Sequence, residues 1–557
     1  MKAKDLKNSI LQMAVEGKLV PQHPNDEPAS ILLERIREEK HRLIAEGKAK
    51  FPKGGESVIY FGSDGSPYEK RVDAKGRVLS EKCIKGEVPF EALPEGWAWA
   101  RLESILQLNS GLGYKKDNLT VKGKRMVRVL RGGNIGEEDE PLVKDNDVMI
   151  SAEFVDSGLF LHDGQIITPA VTSLENVGKA AIVRNAGRDT VCGGFVFFLA
   201  PFLGALGHSE YLHRYLTSPV HVTFCKSAVK KSGQAFYNLS KASLNSALIA
   251  LPPLAEQCRI VERVDELMPL VEGYGRLEDA REALDAALPG RLRRSVLQMA
   301  VQGKLVPQDP ADEPASALLG RIREQRAELV KQKKMKAPKG GESIIFAGSD
   351  GRRYEKRVDA RGRESEPVCI EDEIPFEIPR GWEWARLESV LQLSSGLGYK
   401  KDSLTVKSER MVRVLRGGNI GEGDEPLVRD NDVLISAEFV DDSLFLRDGQ
   451  IITPAVTSLE NVGKAAIVRA ADGNTVCGGF VFFLTPFLEN PWHSEYLHKY
   501  LTSPAHVAFC KSAVKKSGQA FYNLSKSSLN SALMAIPPLA EQHRIANVVD
   551  SLFKILA

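Results

Sequence analysis

The sequence predicts an α+β protein in which two α/β modules alternate with helical segments, and three observations lead there. First, the chain repeats itself once. SILQMAVEGKLVPQ at Ser9 returns as SVLQMAVQGKLVPQ at Ser295, and SGLGYKKDNL at Ser110 returns as SGLGYKKDSL at Ser395. Between Ser110–Gln257 and Ser395–Gln542, 24 of 148 positions aligned without gaps differ. Two long copies make a pseudo-dimer, whereas a solenoid needs many short ones. Second, the apolar spacing inside each copy changes from helical at the ends to strand-like in the middle. Third, 557 residues, 43% hydrophobic and 27% charged, exceed one core and match an ordinary globular composition.

Each copy opens on a charged helix. EPASILLERIREEKHRLIAEG carries Leu32, Ile36, Leu43 and Ile44 on one side, with Asp26 and Pro28 as start signals and Gly47 as a stop. A Gly-rich connector, FPKGGESVIYFGSDGSPYEKR, reads as a hairpin around SDG. VMIS, QIITPAVT, KAAIVR and GGFVFFL then read as strands, the last as a buried one, with HSEYLHRYLTS as an embedded helix. After LPPLAEQ the helical pattern resumes: Ile260, Val264, Leu267, Val271 and Tyr274 follow a 4-3-4-3 seam, repeated by Ile545, Val549, Leu552 and Leu556. The Glu-Gln of LPPLAEQ is expected to cap that helix. Pro269, with Gly273 and Gly275 close behind, predicts a kink or interruption near Met268–Gly275.

The expected boundaries are 1–93 for an N-terminal helical region and connector, 94–250 for a first module and 251–378 for a central helical region and connector. A second module at 379–535 and a short distal helix at 536–557 complete the chain. Joined end to end, these pieces would close into two equal units about a two-fold axis, a circularly permuted arrangement.

Composition narrows the function. No apolar run approaches the roughly 18 residues of a membrane span, and MKAKDLKNSI lacks the apolar stretch of a signal peptide. Seven cysteines without a C-x-x-C pair fit reduced thiols in a cytoplasm, not a disulfide or zinc framework. A net charge of +2 does not by itself indicate nucleic acid, although it can hide a local basic face. VGKAAIV lacks the Ser or Thr of a phosphate loop, SGLGYKK lacks the third glycine of a dinucleotide loop, and no N-P-P-F tetrapeptide of an amino-methyltransferase is present. His208 and His213, five apart, read as surface or half-buried histidines and not as a zinc pair.

SILQMAVEGKLVPQHPNDEPASILLERIREEK, FEALPEGWAWARL and SALIALPPLAEQCRIVERVDELM, each with its second-half copy, strongly resemble the specificity subunit of type I restriction-modification systems. The resemblance covers essentially the whole chain. It implies two target-recognition domains separated by helices that pair as an antiparallel coiled coil. It implies no catalysis by this subunit and no metal or cofactor of its own. The partners it implies are double-stranded DNA, two methyltransferase subunits that use S-adenosylmethionine, and two restriction and translocase subunits that use ATP and Mg. Each recognition domain then reads one half of a split target in the cytoplasm of a prokaryote, near its nucleoid. Two other readings stay open: a stand-alone sequence-specific DNA-binding regulator, and an enzyme with a divergent site.

Three stretches per module combine glycines, which let a backbone approach closely, with side chains that bind phosphates or base edges. They offer Tyr114, Lys115 and Lys116, then Arg128, Arg131 and Asn134, then Lys226, Lys230, Lys231, Gln234, Tyr237, Asn238 and Lys241. The second module repeats them as Tyr399, Lys400 and Lys401, then Arg413, Arg416 and Asn419, then Lys511, Lys515, Lys516, Gln519, Tyr522, Asn523 and Lys526. The lysine pair is also what a solvated turn looks like, Arg131 and Asn134 also suit a turn cap, and Phe236 reads as core. Because the residues match, the pair of modules is expected to want an inverted repeat. Exchanges such as Lys124 to Glu409 and His162 to Arg447 fall outside these stretches.

Overall fold

The computed structural model describes residues 2–556 apart from 120–122, 188, 233–235, 339, 405, 407, 422 and 518–520, and leaves out the side chains of 232, 401 and 517. The chain divides into two units, Met1–Glu282 and Ala283–Ala557, each holding one copy of the repeat. Among the described residues, no helix is long and apolar enough to cross a membrane.

The first unit begins with helices α1 (Ala3–Val15) and α2 (Ala29–Ala45). Their apolar stripes, Leu11, Ala14 and Val15 on one and Leu32 and Ile36 on the other, are buried in the main core. The connector folds as an antiparallel meander of β1 (Glu56–Phe61), β2 (Pro67–Val72) and β3 (Val78–Cys83), with Phe61 paired to Pro67 across the SDG turn.

The module is entered by β4 (Ala98–Arg101), which runs through the short helix α3 (Leu102–Ile105) into β5 (Leu106–Ser110). Then come β6 (Met126–Leu130), β7 (Val148–Ser151), β8 (Ile166–Pro169), β9 (Val171–Thr172), β10 (Ala181–Ile182), β11 (Thr190–Cys192) and β12 (Val196–Pro201). Helices α4 (Leu206–Leu216) and α5 (Pro219–Ala228) follow, then strands β13 (Lys230–Ser232) and β14 (Phe236–Asn238), helix α6 (Lys241–Asn245) and strand β15 (Leu248–Leu251). The strands form sheets ordered β10-β8-β12-β5, β11-β6-β7 and β13-β14-β9. The exit strand β15 pairs antiparallel with the entry strand β4, Trp99 opposite Ala250. The second unit repeats every one of these sheets, its entry strand Glu383–Arg386 pairing with its exit strand Leu533–Ile536.

Helix α7 (Leu254–Val301) then runs as one element through Pro269, so the kink expected near Met268–Gly275 does not break it. Packing on both sides of the proline accounts for this: Ile260, Val264 and Val271 are buried in the core with Leu267 and Met268 packed against it. Ala3 N–H also donates to Glu278 at 3.0 Å, so α1 braces the helix beyond the proline. The first part of the 4-3-4-3 seam is thus a docking seam for the module, while Tyr274 at its end is exposed. In the second unit the last turns of α7, with Val296, Leu297 and Ala300, share a core with Ile545 and Val549 of the C-terminal helix Leu539–Ile555.

Glu256 and Gln257 do not cap α7 as expected; they dock it. Glu256 is buried and accepts from Trp97 Nε1 at 3.0 Å and from Gln22 Nε2 at 3.1 Å. Gln257 Oε1 meets His208 Nδ1 at 2.8 Å, and its amide donates to the Pro252 carbonyl. The repeated GKLVPQ, PEGWAWARL and PPLAEQ stretches therefore meet at one point, and Glu541 receives Trp382 and Gln308 in the same way. Burial pushes the carboxyls of Glu256 and Glu541 above the usual range. A second clamp holds the connector: Arg101, 5% exposed, donates to Glu69 at 2.7 Å, to Glu87 at 2.6 Å and to the Ser246 carbonyl at 2.7 Å. Burial alone would raise the Glu69 carboxyl, but hydrogen bonds from Arg101 and Ser57 bring it down to about 2.

Two outcomes follow from these contacts. Arg101→Met removes the buried cation of Glu69 and leaves it Arg71 at 2.9 Å and Ser57, so thermal unfolding of the full chain should show a loss of about 3 kcal/mol in the first unit, the low end for a broken buried pair. The histidines respond to acid. His208 and His213 are fully buried, not surface or half-buried as the sequence suggested, as are their copies His493 and His498, and burial holds His213 and His498 near 4, against opposing pulls from Asp139 and Asp424. The unfolded chain then binds more protons than the folded one between about pH 4 and 6.5, so this contribution is complete above 6.5 and fades as the pH falls. The melting temperature should drop steadily from pH 7 to pH 5, and His213→Gln with His498→Gln should flatten that slope.

Candidate nucleic-acid interface

The candidate surface of each module lies where three backbone segments touch. Leu112 N–H donates to the Cys192 carbonyl at 2.6 Å, Gly111 N–H to Val196 at 3.0 Å and Gly193 N–H to Leu130 at 2.8 Å. A Cβ on Gly111 would collide with the Gly193 carbonyl, so only glycine allows this approach. The SGLGY, LRGG and CGGF stretches are thereby fixed to one another.

In the second unit the same arrangement frames a cleft of about 750 Å³, lined by Tyr399, Arg416, Val456, Phe480, Phe521 and the intervening glycines. Phe480 is 72% exposed and Phe521 56%. The counterparts in the first unit, Phe195 and Phe236, are 72% and 57% exposed. Two expectations are corrected here. Phe236 is not core: it is the first residue of β14 and is exposed among the described residues. GGFVFFL is buried at Gly193 and from Val196 to Leu199, but Phe195 sits on the turn before β12 and is exposed.

The predicted residues separate into two groups. Lys115, Lys116, Lys226, Lys230, Lys231, Asn238 and Lys241 are exposed, as are Lys400, Lys511, Lys515, Lys516, Asn523 and Lys526. Lys230 and Lys231 stand on β13 opposite Asn238 and Tyr237 of β14. Tyr237 and Tyr522 are half-buried against the main cores, and Lys241 and Lys526 stand 5.9 Å from the rings of Phe197 and Phe482. Tyr114 and Tyr399 pack against small cores under the cleft. Arg131 and Arg416 are exposed. Gln234, Gln519 and the side chain of Lys401 lie outside the described residues.

Asn134 and Asn419 do a different job. Asn134 is 2% exposed; its oxygen accepts from the Arg131 N–H at 2.8 Å and its amide donates to the Leu142 carbonyl and to Asp147 at 2.7 Å each. Asn419 makes the same three bonds. With its hydrogen-bonding capacity used inside the fold, the amide closes the GGN turn and is not presented to a base. Arg128 is bound to Asp147 at 2.9 Å and Arg413 to Asp432 at 3.5 Å. Burial would raise the Asp147 carboxyl, but hydrogen bonds from Asn134, the Lys144 N–H and Arg128 hold it below the usual range. Arg128 and Arg413 therefore brace the turn that carries Arg131 and Arg416.

A signal in the sequence marks this surface more clearly than the motifs did. Residues 211–255 and 496–540 contain no Asp or Glu, while carrying the lysines of α5, β13 and α6 and of their copies. The two acidic side chains that flank the first of these segments are turned elsewhere: Glu210 pairs with Arg184, and Glu256 receives Trp97 and Gln22. Among the described residues, no group of three His, Cys, Asp or Glu side chains is placed to hold a metal ion.

Residues 94–272, the first module and the start of α7, match the family model described as the type I restriction modification DNA specificity domain. The crystal structure of the HsdS subunit from Thermoanaerobacter tengcongensis matches with 17% identity and a TM-score of 0.39, over 85% of this chain and 92% of that one. Two specificity subunits of Escherichia coli align over nearly the whole chain. The type I restriction enzyme EcoAI specificity subunit is 27% identical and the EcoEI subunit 25%, each over 99% of this chain and 89% of its own length. The chain is thus similar over nearly its whole length to type I restriction enzyme specificity subunits, and its first module matches their DNA specificity domain.

Proposed function

We propose that this chain is the DNA sequence-recognition subunit of a type I restriction-modification complex, without catalytic activity of its own. It binds a duplex target made of two half-sites and holds methyltransferase subunits in place for adenine N6 methylation, and motor and nuclease subunits for cleavage. S-adenosylmethionine, ATP and Mg belong to those partners. The observation that carries this reading is the pairing, in the second unit, of an arginine- and phenylalanine-lined cleft, all of whose lining residues recur in the first, with a flanking segment that bears lysines and no acid. Lysines attract the phosphate backbone and set register, while the cleft faces base edges, where sequence can be read.

The eleven residues that line the cleft of the second unit all have identical counterparts in the first, from Leu112 and Leu397 to Phe236 and Phe521. Equal readers call for equal half-sites, one the reverse complement of the other. The partner subunits would dock on the helical parts, and α7 offers them Leu277, Leu284 and Leu288, all exposed on its middle turns.

Selection of bound sequences from a random duplex pool tests the reading directly. An inverted repeat around an unspecified spacer is the expected product, and two unrelated half-sites would contradict equal reading. The lysines are tested by salt. Removing Lys230, Lys231, Lys515 and Lys516 together by substitution with alanine should make the slope of log K against log salt shallower by about 3 to 4, near 0.9 for each phosphate no longer neutralised. An unchanged slope would take β13 and its copy out of the interface.

A further inference from the structure

Phe195 and Phe236, with Phe480 and Phe521, are the least expected feature of the surface. Four phenylalanines at 56–72% exposure are of no benefit to folding. Within each unit they come from separate elements, the turn before the central strand β12 or its copy and the first residue of the lysine-bearing hairpin. In the second unit they line the same cleft as Arg416. The backbone beneath is pinned by the bonds at Leu397, Gly396 and Gly478, so Phe480 at least is carried on a rigid support.

A phenyl ring has no donor or acceptor, so it cannot read the polar pattern of a base. In an intact duplex the base faces are covered by their neighbours and only the edges are open. The one apolar group on those edges in the major groove is the C5 methyl of thymine. We propose that Phe195 and Phe236, and equally Phe480 and Phe521, are specificity-determining residues that read a thymine methyl in each half-site, beside the polar contacts of Arg131 and Arg416. This rests on the DNA-recognition reading above. The positive flank delivers the duplex to the cleft, and the rings discriminate thymine from cytosine at the position they cover.

The test replaces each thymine of a selected duplex, one position at a time, with deoxyuridine, which lacks only the methyl. With the full-length wild-type chain, one position per half-site should weaken binding about fourfold, the worth of one buried methyl group, and both together about sixteenfold. A chain carrying Phe195→Ala and Phe480→Ala, or one carrying Phe236→Ala and Phe521→Ala, should bind the thymine and deoxyuridine duplexes alike at that position. Because the rings are exposed, both variants should melt at the wild-type temperature, which separates loss of reading from loss of fold. Wild-type protein that is indifferent to every deoxyuridine, or variants that keep the full discrimination, would overturn the assignment while leaving DNA recognition standing. A wild-type chain with no affinity for duplex would overturn the parent reading and this one with it.

Discussion

The antiparallel pairing of β4 with β15 is the constraint on which the rest of each unit depends. The chain leaves the helical frame at Ala98, builds a complete module, and returns at Leu251 beside the point of departure. Adjacent strands lie about 4.8 Å apart, so the whole module hangs on a base two strands wide. Two of the contacts that fix its orientation are gathered at the ends of that pair. At one end Arg101 ties the Ser246 carbonyl to the connector through Glu69 and Glu87. At the other, Trp97 reaches Glu256 and His208 reaches Gln257, so the first turns of α7 lock to both the entry strand and α4. A module attached in this way is an insertion in its frame, and the same insertion can be made twice.

Duplication preserved the chemistry of the cleft and the logic of the base while letting other places drift. Arg214 between Asp139 and Asp265 becomes Lys499 between Asp424 and Asp550, the same bridge with a different cation. The longest run of exchanges covers Gly204–Gly207, at the start of α4. There the second unit has Glu489, Asn490, Pro491 and Trp492, gaining an N-cap from Asn490 and a ring contact between Trp492 and His543 at 3.9 Å. Both variants satisfy the same helix end, one by side-chain capping and one without it. The exchanges at Lys124 and His162 also fall outside the residues that line the cleft.

Much of the architecture was legible because it is written in local periodicity and in self-similarity, which need no knowledge of distant contacts. The hairpin around SDG and the strands on either side of the module centre belong to that kind. What escaped notice depends on partners far away in sequence. Asn134 looks like a base reader until Asp147 and the Leu142 carbonyl, 13 and 8 residues on, turn its amide inward. Phe195 is inseparable by pattern from the buried phenylalanines that follow it; only the turn imposed by two glycines lifts it out of the sheet. Pro269 removes one hydrogen bond from α7, but with Val264 and Val271 buried on either side the helix continues through it, a tertiary effect that outweighs a strong local breaking signal. The acid-free segment was visible in the sequence all along, since absence of charge over 45 residues needs no structure to count.

The rigidity of the cleft bears on what kind of reader it can be. Loops that adapt on binding select weakly, because part of the interaction is offset by ordering them. Here the loops carrying Tyr114, Arg131 and Phe195 are joined by direct backbone hydrogen bonds, and the turn under Arg131 is held by a buried Asn–Asp–Arg set. Glycine at 111 lets these backbones meet with no side chain between them. On the proposed reading, a mismatched base would meet groups that cannot rearrange to suit it, which turns a poor fit into a full penalty. By the same reading, two clefts alike in every lining residue favour equal half-sites, and any inequality between them would come from the exchanges outside the cleft, from the DNA around it or from the partner subunits.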